Sequence, residues 1–185
     1  MKYYKKIEGS RVYLSPMNVE DAEAYLTWLN DRKVSDNIHA TSKIYNLPRE
    51  VEWIENSLKN GDYTFSIILK EKDILIGNAG IHNIKNIDRA ATLGIFIGDE
   101  EYRGKGIGTE VIMLLLDYGF NYLNLHSIDL DVFSFNKRAI SCYKKVGFKE
   151  CGVRHECYYL DGKYHDDIKM EILKSDFEKL KITSC

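Results

Sequence analysis

The chain is predicted to fold as an α/β domain, a mixed sheet with helices packed on it, and three observations in its 185 residues carry that expectation. A glycine-rich loop over residues 103–109 stands between an apolar run at 93–97 and a long apolar segment at 111–123, the pattern of strand, loop and helix. The β-rich runs at 63–69 and 74–84 are joined by a polar connection centred on Glu71, Lys72 and Asp73, of hairpin length, so they pair antiparallel. The run at 127–133 then needs a parallel partner reached through the long apolar segment, which makes a βαβ unit.

From the start of the chain, residues 11–14 read as a short strand, and Asn18 precedes Asp21 at the spacing of a helix N-cap with a carboxylate at its third position. The first helix begins there. Ala22, Tyr25, Leu26 and Leu29 form its core face, and the polar run at 30–33 marks its exit. Residues 34–47 show no clear period. A second helix is expected from Pro48, a favoured first helical residue, to Asn60, ended by Gly61, with Val51, Ile54 and Leu58 facing inward. After the hairpin, residues 86–89 turn into a strand at 90–97 that feeds the glycine loop. The third helix, from Gly106 to about Tyr122, is apolar nearly all round and so is expected between layers. A fourth helix places Ala139, Ile140, Tyr143 and Val146 on one face and ends at Gly147. The chain closes as a hairpin, 148–160 and 163–173, about the two-residue turn Asp161-Gly162.

With 44% hydrophobic and 29% charged residues, residues 1–185 are read as a single domain large enough to bury a core. A formal net charge of -2 and no long basic stretch argue against a nucleic-acid partner. No apolar run approaches the roughly 20 residues that a bilayer needs, and the N-terminus lacks a signal peptide's apolar region. A cytoplasmic protein without a membrane partner is therefore expected. Cys142, Cys151, Cys157 and Cys185 form no C-x-x-C pair, and no disulfide is expected. Cys151, His155 and Cys157 would share one face of a strand, but a fourth ligand is missing and the spacing fits no zinc pattern, so no metal is expected.

Gly104, Gly106 and Gly108 leave bare amides at the start of a helix, where unpaired N–H groups and the positive end of the dipole favour an anion. Arg103 and Lys105 add positive charge. A Walker loop would need Ser or Thr after Lys105, where Gly106 stands, which disfavours a protein that uses the loop for ATP. A dinucleotide fingerprint would need glycine at 109, where Thr109 stands. A turn that merely connects two elements is the plain alternative.

The order Arg103-Gly104-Lys105-Gly106-Ile107-Gly108 resembles the pyrophosphate loop of the GNAT superfamily of N-acetyltransferases, which hold the diphosphate of acetyl-coenzyme A. One strand later, Asn136, Ala139, Tyr143, Gly147 and Phe148 stand in the order Asn-x-x-Ala-x-x-x-Tyr-x-x-x-Gly-Phe, which resembles the last helix of the same family. Residues 125–126 and 158–166 are similar to the RimJ/RimL-type branch, named for ribosomal-protein N-terminal acetyltransferases. The second half also resembles spermidine and amino-sugar acetyltransferases, so the branch does not fix the substrate. The resemblance covers nearly the whole chain and implies the GNAT acetyltransferase fold. That is a mixed, mainly antiparallel sheet with helices on both faces, splayed between the strands at 90–97 and 127–133 to admit the pantetheine arm.

The implied activity is N-acetyl transfer from acetyl-coenzyme A to a primary amine, either a peptide N-terminus or a small amine, by direct attack through a tetrahedral intermediate. The resemblance assigns cofactor contacts to Arg103, Gly104, Lys105, Gly106, Ile107, Gly108 and Thr109 at the diphosphate, and to Asn136 at the pantetheine arm. Asn136 equally suits a plain N-cap. The backbone of Ile95, Phe96 and Ile97 would pair with the cofactor, and an amide there can polarise the thioester carbonyl. Tyr143 is the implied acid: a thiol titrates near ~8.5 and a phenol near ~10, so a positioned tyrosine can protonate the departing sulfur. Its plain reading is a tyrosine packed in the core.

The base stays open. Relatives often carry a glutamate early in the strand before the loop, but this chain reads Ala91-Thr92-Leu93. A water chain, His82 within a central strand, and His39 in the unpatterned stretch are the alternatives. His155, His165, Asp166 and Asp167 flank the terminal hairpin and need no function there. A polyamine would want an acidic cluster, and residues 34–47 hold only Asp36. A catalytically silent acyl-coenzyme A-binding module is the rival from another class, and Tyr143 separates the two. The sequence sets no oligomeric state, and a homodimer is compatible with it.

Overall fold

The structure, a computed structural model, describes residues 2–183. Strands β1 (Ile7–Glu8) and β2 (Val12–Pro16) open it as a tight antiparallel pair. The two-residue β1 is too short to leave a periodic trace in the sequence. A single 3-10 turn, Val19–Asp21, follows, capped by the Asn18 side chain, which accepts from the Glu20 amide at 2.9 Å. It leads into α1 (Ala22–Leu29). The polar run expected to end this helix also starts another, because the Asp31 side chain accepts from the Lys33 amide and caps α2 (Arg32–Ser35).

Helix α3 (Leu47–Asn60) starts at Asn46, whose side chain accepts from the Arg49 amide at 3.0 Å, and carries Pro48 in its first turn. It ends at Gly61, whose φ of 69° lies in the left-handed region that favours glycine. Its inner face differs from the expected one. Glu50, Ile54 and Ser57 are buried, whereas Val51 is half-buried and Leu58 is 43% exposed. The inward spacing of four and then three is helical, but two of the three residues are polar, and a reading by apolar period passes over them.

Strands β3 (Tyr63–Leu69) and β4 (Ile74–Lys85) form the expected hairpin, and β5 (Ala90–Ile97) follows with the bounds read from the sequence. Helix α4 (Ile107–Asn121), β6 (Ser127–Phe133) and α5 (Lys137–Lys145) come next. The chain then forms β7 (Lys149–Leu160), β8 (Lys163–Leu173) and α6 (Lys174–Thr183), the last of which the sequence reading did not include. Asp161 and Gly162 both take positive φ, 48° and 80°, as a two-residue turn matched to the strand twist requires. The eight strands form one sheet in the order β1-β2-β3-β4-β5-β6-β8-β7. It is mixed: β5 and β6 pair parallel, while β2 with β3, β3 with β4, β6 with β8 and β7 with β8 pair antiparallel.

The described residues fall into two compact units. The first comprises the chain through His82 together with Gly94–Leu114; the second comprises Asn83–Leu93 and the chain from Leu115 on. In the first, Val12, Leu14, Ile67 and Ile76 are fully buried. A polar network crosses that core. Asp21, 2% exposed, accepts from the Tyr3 hydroxyl at 2.8 Å and pairs with Lys2 at 2.7 Å, so its buried charge is compensated. Gly77 of β4 has to be glycine, since a Cβ there would lie 2.2 Å from the Phe96 carbonyl oxygen of β5.

In the second unit β6 pairs with β8 from Ser127↔Leu173 to Phe133↔Asp167, with Ile128, Leu130, Met170 and Ile172 buried. Helix α6 docks through Phe177, whose ring centroid lies 5.4 Å from that of Phe120. The parallel ladder with β5 runs from Ala90↔Ser127 to Thr92↔Asp129, and β6 continues to Phe133.

Candidate active site

The glycine loop is built as expected from the chemistry of its residues. After β5 a 3-10 turn, Glu100–Tyr102, capped by Asp99, delivers the chain to Gly104 and Gly106, whose φ values of 74° and 78° are left-handed. A Cβ at Gly104 or Gly108 would meet nothing within 4 Å, so the backbone there is open to an approaching group. Glu110 donates its amide to the Gly106 carbonyl and starts the ladder of α4. The amides of Ile107 and Gly108 find no acceptor among the described residues. Unpaired amides at the positive end of a 15-residue helix, beside glycines whose Cβ positions are open, fit a diphosphate.

The charged residues of the loop also engage the protein itself. Arg103 donates through Nε to the Ile97 carbonyl at 2.9 Å and through Nη2 to the Gly98 carbonyl, so its guanidinium ties the end of β5 to the loop. Lys105 is exposed, its Nζ 5.8 Å from the centroid of the Tyr102 ring. The cation that reaches the loop is Arg11, which the sequence reading missed. Its Nη1 donates to the Lys105 carbonyl and its Nε to Glu110 Oε2, both at 2.8 Å, and its Nη2 lies 3.6 Å from where a Gly106 Cβ would stand. Glu110 also accepts from the Arg11 amide at 2.8 Å. Burial pushes the Glu110 carboxyl up, but the bonds from Arg11, Ser10 and Val12 outweigh it and hold the group below its ordinary value. No local signal marks Arg11, because its partner Lys105 is 94 positions away.

Ile95, Phe96 and Ile97 of β5 are half-buried. Gly98 donates to the Ile76 carbonyl at 2.9 Å, which fixes the strand end before the loop. On the same strand Thr92 and Gly94 stand two apart and so share a face. The His82 ring covers Gly94: a Cβ there would lie 3.3 Å from the ring's Cδ2 and Nε2, and one at Gly80 would lie 2.8 Å from its Cε1 and Nε2. Two glycines thus make room for the imidazole. Burial holds His82 below its ordinary value, with the Asp62 charge working the other way, so the ring is neutral near pH 7. His39 is exposed.

In the second unit, Asn136 accepts from the Ala139 amide at 3.1 Å and caps α5. Tyr143, on the second turn of that helix, is half-buried, with its ring edge-on to Phe148 at 5.9 Å. Its hydroxyl has no hydrogen-bond partner among the described residues. Burial pushes the phenol up, so it keeps its proton well beyond neutral pH. Gly147 (φ 95°) closes the helix, where a Cβ would come within 2.4 Å of Leu180 Cδ1. Thr92, the residue where relatives carry glutamate, is paired in register with Asp129, whose carboxylate Lys169 holds at 3.3 Å.

The other sequence candidates have partners of their own. Register shifts at Glu150/Gly152 and Arg154/Tyr158 break the alternation of β7, and His155 lies 3.2 Å from Asp166 on an exposed hairpin. Among the described residues no three His, Cys, Asp or Glu are grouped to hold a metal, and Cys142, Cys151 and Cys157 are free thiols. Cys185 lies outside the described residues. No described helix is long and apolar enough to cross a membrane.

Residues 11–149 match the model of the acetyltransferase (GNAT) domain. The chain is 30% identical over 183 residues to the probable N-acetyltransferase YjcK of Bacillus subtilis (strain 168), covering 94% of this chain and 99% of that protein. A spermidine N(1)-acetyltransferase of Vibrio cholerae serotype O1 is 39% identical over 103 residues, 56% of this chain and 59% of that one. Among solved structures, the spermidine N-acetyltransferase of Vibrio cholerae in complex with CoA and spermine superposes with a TM-score of 0.83 at 28% identity, over 92% of this chain and 99% of that one. Matched by the domain over most of its length, and superposing on a solved N-acetyltransferase over nearly all of it, the chain belongs to the GNAT family and is an acetyl-coenzyme A-dependent N-acetyltransferase.

Proposed function

We propose that the enzyme acetylates the primary amine of a small alkylamine by direct attack, with Tyr143 as general acid and His82 as general base. The observation that supports the catalytic reading is the Tyr143 hydroxyl, which no described residue engages and which is therefore open to a bound group. The small-amine reading draws support from the relatives named for spermidine. The motifs at 125–126 and 158–166 also keep the RimJ/RimL-type branch as the one this chain resembles.

Acetyl-coenzyme A supplies the thioester carbon, to which the amine nitrogen bonds as the carbon–sulfur bond breaks. The Tyr143 hydroxyl gives its proton to the departing sulfur. Burial that raises a phenol raises a thiol in the same direction, since both ionise to anions, so the two groups stay matched in a desolvated setting. His82 takes the proton that leaves the amine nitrogen, a role open to it because burial keeps its ring neutral. Backbone amides of Ile95, Phe96 and Ile97 polarise the carbonyl. The amides of Gly104 through Thr109, with the Arg11 guanidinium, hold the diphosphate; Arg103 sets the strand end and Asn136 caps the helix that carries the acid.

A panel of amines and short peptides incubated with acetyl-coenzyme A and followed by mass spectrometry tests the reaction. Acetylated alkylamines are expected as the best products. Bare thioester hydrolysis, or peptides accepted in preference to every amine, would contradict the reading. For the base, activity requires neutral imidazole, so kcat should rise with pH through a value below the ordinary ~6.5 and level off above it. His82→Gln should lower kcat by about 10²-fold and remove that acid limb. An unchanged limb at full kcat would take His82 out of the mechanism.

A further inference from the structure

In the first unit a lysine from outside the glycine loop is tied to it. Lys72 stands in the turn of the β3–β4 hairpin and is exposed, yet its Nζ donates to the Tyr102 hydroxyl at 3.0 Å and lies 5.5 Å from the centroid of that ring. Tyr102, 7% exposed, ends the 3-10 turn that delivers the chain to the loop. Lys105, within the loop, places its Nζ 5.8 Å from the same centroid. One buried tyrosine thus gathers two ammonium groups from two separate elements. A lysine in a hairpin turn otherwise moves freely in water, and holding it in one place costs side-chain entropy.

The protein's own carboxylates do not account for these two cations. Lys70 pairs with Glu8 at 2.7 Å, Arg11 with Glu110 at 2.8 Å and Lys33 with Glu100 at 2.7 Å, whereas Lys72 and Lys105 form no ion pair among the described residues. The bond to Tyr102 raises the Lys72 ammonium above its ordinary value, and the charges of Tyr102, Glu101 and Glu71 add to it without an ion-pair contact, so the group stays charged. Two like charges drawn to one ring repel each other, and an anion bound by both would offset that cost.

Coenzyme A carries a second anion besides its diphosphate, the phosphomonoester on the 3′ carbon of its ribose. Only the ribose separates the two, so a diphosphate held by the amides at the start of α4 brings the phosphomonoester within reach of side chains that border the loop. We propose that Lys72 and Lys105 bind this 3′-phosphate, with Tyr102 holding the Lys72 side chain in place; the assignment rests on the diphosphate placement proposed above. Ammonium groups on flexible stems suit a phosphomonoester, which they meet as point charges that can adjust to it. The loop amides serve coenzyme A and its dephospho form alike, so the discrimination between them falls to the lysines.

Titration calorimetry of the full-length protein with coenzyme A and with 3′-dephospho-coenzyme A reads the site as a ratio of affinities. The native protein should favour coenzyme A by about tenfold, within what two exposed ion pairs to a dianion supply, and raising the salt should shrink the ratio. Lys72→Met should cut the ratio by about threefold through weaker binding of coenzyme A alone, and Lys72→Met combined with Lys105→Met should bring it to about one. Lys72→Arg should retain it, because the charge remains. Tyr102→Phe, which keeps the ring and removes the hydroxyl that holds Lys72, should lower it. Lys72 is exposed, so its substitution leaves the core untouched. A native ratio of about one, a ratio that survives in the double variant, or equal losses for both ligands in Lys72→Met would overturn this site alone. Failure of the native protein to bind either ligand would overturn the diphosphate placement, and this assignment with it.

Discussion

Gly106→Asp is expected to abolish acetyl-coenzyme A binding in a protein that still melts cooperatively. Gly106 has a φ of 78°, where an L side chain costs about 1–2 kcal/mol, and aspartate is among the residues that tolerate it best. Against a typical domain stability of about 5–15 kcal/mol the fold survives. The effect on the ligand is far larger. The new Cβ would lie 3.6 Å from Arg11 Nη2, so the added carboxylate would neutralise the guanidinium nearest the loop. It would also set a negative charge beside the diphosphate. Like charges about 4 Å apart near a protein surface repel by about 4 kcal/mol, which is roughly a thousandfold in affinity. Titration calorimetry reads this directly, and a native-like dissociation constant would show that the diphosphate lies elsewhere.

Tyr143→Phe is expected to lower kcat by about 10²- to 10⁴-fold with acetyl-coenzyme A affinity unchanged. The substitution keeps the ring and its edge contact with Phe148 and removes a hydroxyl that no described residue engages. Stability should therefore change by less than about 1 kcal/mol, within the range of a single neutral hydrogen bond. If the hydroxyl instead contributed only to packing, the melting temperature would fall and turnover would hold. Because the two readings move opposite observables, kcat with a reactive alkylamine and the melting temperature, measured on the same preparation, separate them.

What could be read in the chain without its structure is what depends on neighbours in sequence. The β3–β4 hairpin, the bounds of β5, the Asp161-Gly162 turn and the Asn136 cap follow from alternation, turn chemistry and capping, each written in residues close together in the chain. The two motifs that carry the family are local in the same sense. Arg11 was invisible because its role comes from a contact with Lys105 and Glu110 across the chain. Arg103 is read as a cofactor contact by its place in the motif, and its bonds to the carbonyls of Ile97 and Gly98 are a second role that the motif does not spell out. Glu50 was hidden for a different reason: an apolar-period reading sends a carboxylate outward, and only the packing of α3 turns it in. Helix α6 left little pattern because Phe177 is the one fully buried anchor among its described residues.

The most direct test of the account is single-turnover acetyl transfer from enzyme loaded with acetyl-coenzyme A, mixed rapidly with an alkylamine and quenched for product. Product release and cofactor binding drop out of such a measurement, and what remains is the step in which sulfur leaves. The account predicts rapid N-acetylamine formation by the native protein and formation at least about a hundredfold slower by Tyr143→Phe at equal cofactor occupancy. Equal single-turnover rates in the two proteins would contradict it.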